Sequence, residues 1–219
     1  VFGYILPVGE MAAECRAAGV PFILDAAQSA GSLPVDMSAL GAEFIAMPGH
    51  KGLLGPQGTG LLLCGDPGKP LLFGGTGTLS REKTMPEDLP ERLEAGTVNV
   101  PGAAGLAAGI RLVRCLTPEK IFARGHGQTM ACARALEEMG YRVFSGPHQA
   151  MTVSFQGKAD CEEIAEALGG RGIAVRAGLH CAPLAHESAG TLEKGTVRVS
   201  FGHDASPAQT NALLRALGA

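Results

Sequence analysis

The sequence predicts an α/β fold in which a mostly parallel sheet is followed by a smaller α+β domain. Three short apolar runs, at 21–25, 43–47 and 59–64, predict strands, and their unbroken hydrophobicity is typical of strands covered on both faces. Apolar residues at helical spacing over 8–18, followed by Gly19, predict a helix before the first of these strands. The 32 glycines and 14 prolines in 219 residues fit an α/β enzyme with many tight loops.

The rest of the chain continues this alternation of helices and strands. A short helical turn is predicted at 36–40, and a helix rich in small residues is predicted at 101–115. The pair Thr117-Pro118 is typical of a helix start, and that helix is expected to run to residue 139. The remaining predictions are strands at 141–144, 150–155, 173–176 and 196–201, and helices at 160–169 and 206–217.

Composition excludes several classes of function. The chain is 46% hydrophobic and 18% charged with a net charge of -3, and it has no run of basic residues that would indicate nucleic-acid binding. Its longest apolar runs are too short to span a membrane. Its six cysteines are scattered singly, which fits a reducing compartment and predicts a cytoplasmic location.

Lys51 lies in the glycine-rich loop between two predicted core strands. The stretch from Ile45 to Gly60 contains five glycines and two prolines around His50 and Lys51. A lysine in an apolar loop gives up its proton more readily than one in water, and a neutral amine is the form that attacks a carbonyl carbon. The alternative is an ordinary solvated loop lysine.

Asp25 ends the apolar run that starts at Pro21, and small residues follow it. A carboxylate at the edge of a buried strand is unfavourable unless a cationic group meets it. Pyridoxal phosphate needs a lysine for its aldehyde and an acid for its pyridinium nitrogen. A strand that ends in aspartate, followed by a strand and a loop lysine, meets both needs, although either residue alone is commonly a turn or cap residue.

Five sequence blocks in this order resemble the class V aminotransferase and cysteine desulfurase family of fold-type I pyridoxal-phosphate enzymes. The resemblance covers almost the whole chain and implies that 1–111 is the C-terminal part of the cofactor-binding large domain and 112–219 the small domain. Family members carry a further segment before the position of Val1, so the chain is expected to be the C-terminal portion of a longer enzyme. The blocks are Asp25-Ala-Ala-Gln28, Gly49-His50-Lys51, Glu94–Asn99, Val175–Cys181 and Gly195–Ser200.

The resemblance implies a cofactor site with five residues. Lys51 would bind the cofactor aldehyde and move protons, and Asp25 would keep the pyridine nitrogen protonated. Gln28 would hydrogen-bond the phenolic oxygen, and His50 would contact the phosphate. Thr97 would reach the phosphate of the partner subunit's cofactor, which implies a homodimer; the alternative is a plain turn threonine.

Two residues of the smaller domain carry the expectations about the substrate. Arg198 lies in a predicted apolar strand and needs an anion, which a substrate carboxylate or a structural ion pair would supply. Cys181 lies in a loop near His180 and Arg176 that favours a thiolate, whereas the other five cysteines are expected to fill the core. In cysteine desulfurases the matching cysteine takes sulfur from L-cysteine, which leaves alanine and a persulfide for an acceptor protein.

Several alternatives remain open at this point. A zinc site is one alternative for His180, Cys181 and His186. Their spacing is not a common zinc signature and no fourth ligand stands out, so no metal is predicted. Selenocysteine lyase chemistry and other class V aminotransferase or lyase reactions fit the same motifs. A chain without the preceding segment is also compatible with an inactive remnant or a dimerising binding module.

Overall fold

The computed structural model describes residues 1–79 and 81–218, which form two compact units. The N-terminal unit is Pro7–Pro118, and the C-terminal unit is Val1–Leu6 together with the chain from Glu119 onward. The first residues join the C-terminal unit because Ser154 Oγ donates to the carbonyl of Val1 over 2.8 Å and the Ile5 N–H donates to the carbonyl of His148 over 2.8 Å. The predicted division between 111 and 112 therefore lies inside a helix, seven residues before the division between the compact units.

The N-terminal unit contains a three-stranded sheet in the order β1-β2-β3. The first two strands are parallel, as predicted, whereas β3 runs antiparallel to β2. The connection between β2 and β3 contains no helix to carry the chain across the sheet, so the chain turns back beside β2. The elements are α1 (Val8–Ala17), β1 (Ile23–Asp25), α2 (Met37–Leu40), β2 (Phe44–Pro48), β3 (Gly60–Cys64) and α3 (Val100–Leu116).

The third strand does not have the burial that its sequence predicts. Leu61, Leu62 and Leu63 are 37%, 53% and 42% exposed in the described chain. The core of this unit lies instead around Ile45 of β2 and Leu24 of β1, against which Leu106 of α3 packs. An unbroken apolar run predicts the strand correctly but does not show whether both of its faces are covered.

Among its described residues, the C-terminal unit contains four helices and a three-stranded antiparallel sheet in the order β4-β5-β6. Its core is centred on the fully buried Val153 and Phe155 of the central strand and Val197 of a neighbouring strand, with Leu136 and Leu168 from the helices. The elements are α4 (Pro118–Glu138), β4 (Arg142–Phe144), β5 (Thr152–Gln156), α5 (Cys161–Gly169), α6 (Pro183–Ser188), β6 (Val197–Ser200) and α7 (Pro207–Gly218).

Two elements of this unit differ from the sequence prediction. The run 173–176 is not a strand, because it pairs with β6 at one position, Arg176 with Arg198. Gly172 precedes the run with a φ of 76°, and beyond the run Gly178 and Thr196 exchange backbone hydrogen bonds at 3.1 and 3.2 Å without forming a continuous strand. Helix α6 was not predicted, although Pro183 at its first turn is a helix-start signal. Among the described helices none is both long and apolar enough to cross a membrane.

Candidate active site

Several predicted cofactor residues of the N-terminal unit lie on segments that leave the same edge of its sheet. Strands β1 and β2 are parallel, and Asp25 at the end of β1 pairs with Ala46 of β2. The carboxyl ends of parallel neighbours meet at the same edge of a sheet, where ligands of α/β proteins bind. The turn that contains Gln28 and the loop that contains Lys51 therefore both leave this edge.

Two glycines let these loops touch backbone to backbone. Gly31 has a φ of 84°, and a Cβ added there would overlap the carbonyl oxygen of Gly52. A Cβ on Gly52 would overlap the carbonyl oxygen of Ala30 in return. Only glycine permits so close an approach. The contact holds the loop that contains Lys51 against the segment that follows Asp25, and the sequence blocks alone did not reveal it.

The carboxylate of Asp25 is oriented by a local hydrogen bond. Its Oδ1 accepts from the backbone N–H of Ala27 at 2.8 Å, so the side chain is held over the turn that follows β1. Asp25, Gln28, His50 and Lys51 are all exposed. The apolar surroundings predicted for Lys51 are therefore not formed by the described residues, because the flanking strands end before its side chain and the loop itself is open.

Thr97 lies on the loop that leads into α3. The Gly96 N–H donates to the carbonyl of Gly75 at 2.8 Å, which ties this loop to the glycine-rich segment Gly74–Gly77. Asn99 then caps α3, with its Oδ1 accepting from the Gly102 N–H at 3.0 Å. The Thr97 side chain is exposed just before the amino end of a 17-residue helix, a position at which anions are favoured.

In the C-terminal unit, Arg198 of β6 and Arg176 form a backbone pair. The Arg176 N–H donates to the carbonyl of Arg198 at 3.1 Å, and the Arg198 N–H donates to the carbonyl of Arg176 at 2.7 Å. Residues that exchange both bonds lie directly opposite each other and present their side chains on the same face. Like charges in this position repel, so the pair favours the binding of anions.

The guanidinium of Arg198 is half-buried and incompletely paired. Its Nε is buried and has no hydrogen-bond partner. Burial lowers the pKa of Arg198, and the charge of Arg176 lowers it further, while Cys181 acts in the opposite direction. A buried cationic donor without a partner is unfavourable, so this geometry suits an anion from outside the chain better than a structural ion pair.

Cys181 is exposed and lies against Arg176. The Nη2 of Arg176 donates to its Sγ at 3.3 Å. His180 and Cys181 have consecutive positive φ values of 52° and 62°, a conformation that residues other than glycine rarely adopt. The loop is anchored by the buried His180, whose Nε2 lies 3.0 Å from Thr196 Oγ1. The sequence analysis missed Thr196 as an anchor, although it lies in one of the five blocks.

The other cysteines are only partly the core residues that were predicted. Cys132 and Cys161 are buried, and burial raises the pKa of Cys132 to about 11. Cys15 and Cys64 are partly buried. The prediction is wrong for Cys115, which is exposed because it lies outside the buried stripe of α3 formed by Gly102, Leu106, Gly109 and Val113.

The three residues of the zinc alternative have different environments. His180 and His186 are 8% and 0% exposed, with ring centroids 5.5 Å apart, whereas Cys181 is exposed. The Nδ1 of His186 lies 2.8 Å from Thr191 Oγ1, so each imidazole has a threonine partner. Within residues 1–79 and 81–218, no three His, Cys, Asp or Glu side chains are grouped in a way that would hold a metal ion.

The backbone conformation at Cys181 leads to a stability prediction. Glycine adopts a φ of 62° without the steric penalty of a Cβ, so Cys181→Gly should be more stable than Cys181→Ala by about 1 kcal/mol. Both variants remove the sulfur and its contact with Arg176, so the difference reports the backbone alone. Urea unfolding at pH 7 would measure it. Equal stability would show that the chain holds this conformation without strain.

Comparisons with known proteins agree with this arrangement. Residues 1–213 match the class V aminotransferase family. Probable cysteine desulfurases of Methanothermobacter thermautotrophicus and Pyrococcus abyssi are 35% and 36% identical, and each alignment covers 91% of this chain and 52% of the relative. The apo structure of a cysteine desulfurase from Thermococcus onnurineus NA1 superposes with a TM-score of 0.88 at 33% identity, over 98% of this chain and 56% of that one.

The cysteine desulfurase CsdA of Escherichia coli has the same TM-score, 0.88, at 27% identity and is matched over 100% of this chain and 56% of its own. The chain thus spans about half the length of the relatives that it matches. The predicted fold-type I α/β architecture and the predicted family are both confirmed. On its sequence, its fold and the order of its motifs, the chain belongs to the class V aminotransferase family.

Proposed function

We propose that this chain provides the cofactor-binding and sulfur-accepting groups of a pyridoxal-phosphate-dependent cysteine desulfurase. The reaction converts L-cysteine to L-alanine and leaves the sulfur on Cys181 as a persulfide. The observation that carries the proposal is the exposed Cys181 thiol held 3.3 Å from a guanidinium, beside the incompletely paired Arg198. Relatives named as cysteine desulfurases at 35% and 36% identity support the same chemistry.

The N-terminal unit fits pyridoxal phosphate. The oriented carboxylate of Asp25 and the exposed amine of Lys51 leave the same edge of the sheet on loops that touch at glycine. Lys51 would hold the aldehyde and Asp25 the pyridine nitrogen, with Gln28 at the phenolic oxygen and His50 at the phosphate. When bound, the cofactor withdraws electrons from the substrate's α-carbon. Thr97, before the amino end of α3, would meet the phosphate of a second subunit's cofactor in a homodimer.

The C-terminal unit would bind and desulfurate the substrate. Arg198 would hold the carboxylate of L-cysteine through a charge-assisted, two-pronged contact. The Cys181 thiolate would attack the substrate sulfur, so an S–S bond forms and the C–S bond breaks. The electron pair stays with the carbon, which takes up a proton to give alanine, and no outside oxidant is needed. A sulfur-acceptor protein would then remove the persulfide sulfur, in the cytoplasm that six unpaired cysteines favour.

Two variants of the chain test this proposal. Pyridoxal phosphate mixed with the purified chain should become covalently linked to Lys51, where borohydride fixes it and mass spectrometry locates it; Lys51→Ala should lack the link. Sulfide release from L-cysteine under a reductant should fall by at least about 100-fold in Cys181→Ala, because the sulfur acceptor is gone.

The outcomes separate the alternatives. A chain that takes up no cofactor at Lys51 would contradict the proposal and would leave the inactive remnant or dimerising module. Cofactor uptake with full turnover in Cys181→Ala would indicate another class V reaction. A strong preference for selenocysteine over cysteine would assign the same residues to a selenocysteine lyase.

A further inference from the structure

Arg176 is not among the residues proposed to bind the cofactor or the substrate, yet its side chain contacts the reacting atom. Its Nη2 donates to Cys181 Sγ at 3.3 Å, which joins a permanently charged group to an exposed thiol. A hydrogen bond from a cation is roughly twice as strong to an ionised acceptor as to a neutral one. The contact therefore fixes the direction of the sulfur and keeps a positive charge beside it.

We propose that Arg176 is the positioning residue of the sulfur nucleophile. Its guanidinium holds the Cys181 sulfur in position through the 3.3 Å hydrogen bond, and it leaves Arg198 free to take a carboxylate. The assignment of Arg176 to the sulfur and Arg198 to the substrate carboxylate rests on the proposed function, whereas the contact between Arg176 and Cys181 does not. The same guanidinium would hold the terminal sulfur of the persulfide after transfer, because a hydrogen bond from a cation is strengthened by a charged acceptor such as a persulfide anion.

The backbone explains why Arg176 can do this and Arg198 cannot. The two arginines lie opposite each other on one face, so their charges repel unless each meets an anion. Arg176 is exposed and reaches the sulfur, whereas Arg198 is half-buried with its Nε unpaired. The sulfur of Cys181 accepts a hydrogen bond from the first arginine within the chain, and the second arginine remains for a ligand.

The loop conformation brings the sulfur to Arg176. Cys181 follows the buried His180, whose Nε2 is 3.0 Å from Thr196 Oγ1 in the segment that leads into β6. The positive φ values of 52° and 62° at these two residues turn the chain so that Sγ faces the Arg176 side chain. Strained conformations of this kind persist where the surrounding contacts determine them.

Alkylation of the chain without cofactor tests the proposal. The rate ratio of iodoacetate, an anion, to iodoacetamide, its neutral analogue, is measured at Cys181 by peptide mass spectrometry. Exposed Cys115 in the same tube is the internal reference, and buried Cys132 should stay unmodified while the fold is intact. Arg176→Ala should lower the referenced ratio at Cys181 about fivefold, the effect of one charge a few ångströms away in water. Arg176→Lys should restore most of the ratio, because it restores the charge.

The controls make the result decisive. Arg171→Ala removes another exposed arginine, one whose side chain donates to the carbonyl of Ala216, and should leave the ratio unchanged. An unchanged ratio in Arg176→Ala with Cys132 protected would overturn the proposal. If Cys132 becomes reactive in that variant, Arg176→Gln carries the comparison, and an unchanged ratio there overturns the proposal equally. Alkylation needs neither cofactor nor turnover, so a failure of the proposed function would leave this result standing.

Discussion

Replacing Arg198 with methionine should lower kcat/KM for L-cysteine by about 100-fold or more while making the C-terminal unit more stable. The loss follows from the two charge-assisted hydrogen bonds that a guanidinium gives a carboxylate, each worth about 1.5–3 kcal/mol. The gain follows from the half-buried, incompletely paired cation of the free chain. Methionine is also long and unbranched but carries no charge, and stabilisation of about 1 kcal/mol is expected.

The two effects are measured separately. Steady-state desulfuration in the cofactor-loaded protein gives kcat/KM, and urea unfolding without substrate gives stability. Arg198→Lys is the matched control: it keeps the charge but loses the planar fork, so it should recover only a small part of the activity. A methionine variant with normal kcat/KM would show that the carboxylate binds elsewhere. One that is strongly destabilised would identify Arg198 as a structural ion-pair residue.

The sequence motifs predict the family and the fold well because each depends on local features. The apolar run that ends at Asp25 forms the strand Ile23–Asp25, and a helix begins at Pro118, as their local sequences predict. The cofactor blocks likewise lie where the chain leaves the strands, as at Asp25 and at Lys51 after β2. The assignment of 1–111 and 112–219 to a cofactor domain and a small domain stays a prediction.

The predictions that failed depend on tertiary contacts. The run 173–176 has strand composition, but its pairing with β6 is a single bridge, between Arg176 and Arg198. Cys115 lies on a helix with an apolar stripe, and its exposure depends on which face of α3 packs. The anchor of the Cys181 loop joins residues 16 positions apart, His180 and Thr196, and no local pattern predicts that pairing.

Acid should destabilise the C-terminal unit well before its carboxylates are protonated. Burial lowers the pKa of His180 from 6.5 to about 4, with the charge of Arg198 the next cause, then His186, the Val1 amino group and Arg176. The unfolded chain binds a proton as pH falls through 6.5, whereas the folded chain does not until about pH 4. The stability that is present above pH 6.5 is therefore lost as pH falls and the loss is complete near pH 4, and about 2 kcal/mol should be lost between pH 7 and 5.

His186 adds to this loss, because burial lowers its pKa as well and its Nε2 has no hydrogen-bond partner in the part of the chain that the structure describes. Urea unfolding at pH 7 and pH 5 measures the effect. His180→Gln, which keeps a polar side chain but cannot be protonated in this range, should lose clearly less stability than the wild type. His148→Gln, which replaces an exposed histidine, should behave like the wild type. Equal acid sensitivity in the His180 variant would contradict the prediction.

The same protonation bears on the nucleophile, because His180 immediately precedes Cys181. A charged His180 would no longer be stable in its buried position between Thr196 and His186, so the loop would leave its anchored conformation before the unit unfolds. The contact between Arg176 and the Cys181 sulfur depends on that conformation. The iodoacetate preference at Cys181 should therefore disappear with decreasing pH in the wild type and persist further in His180→Gln. If the preference fell equally with pH in both proteins, protonation of His180 would not control the position of the sulfur.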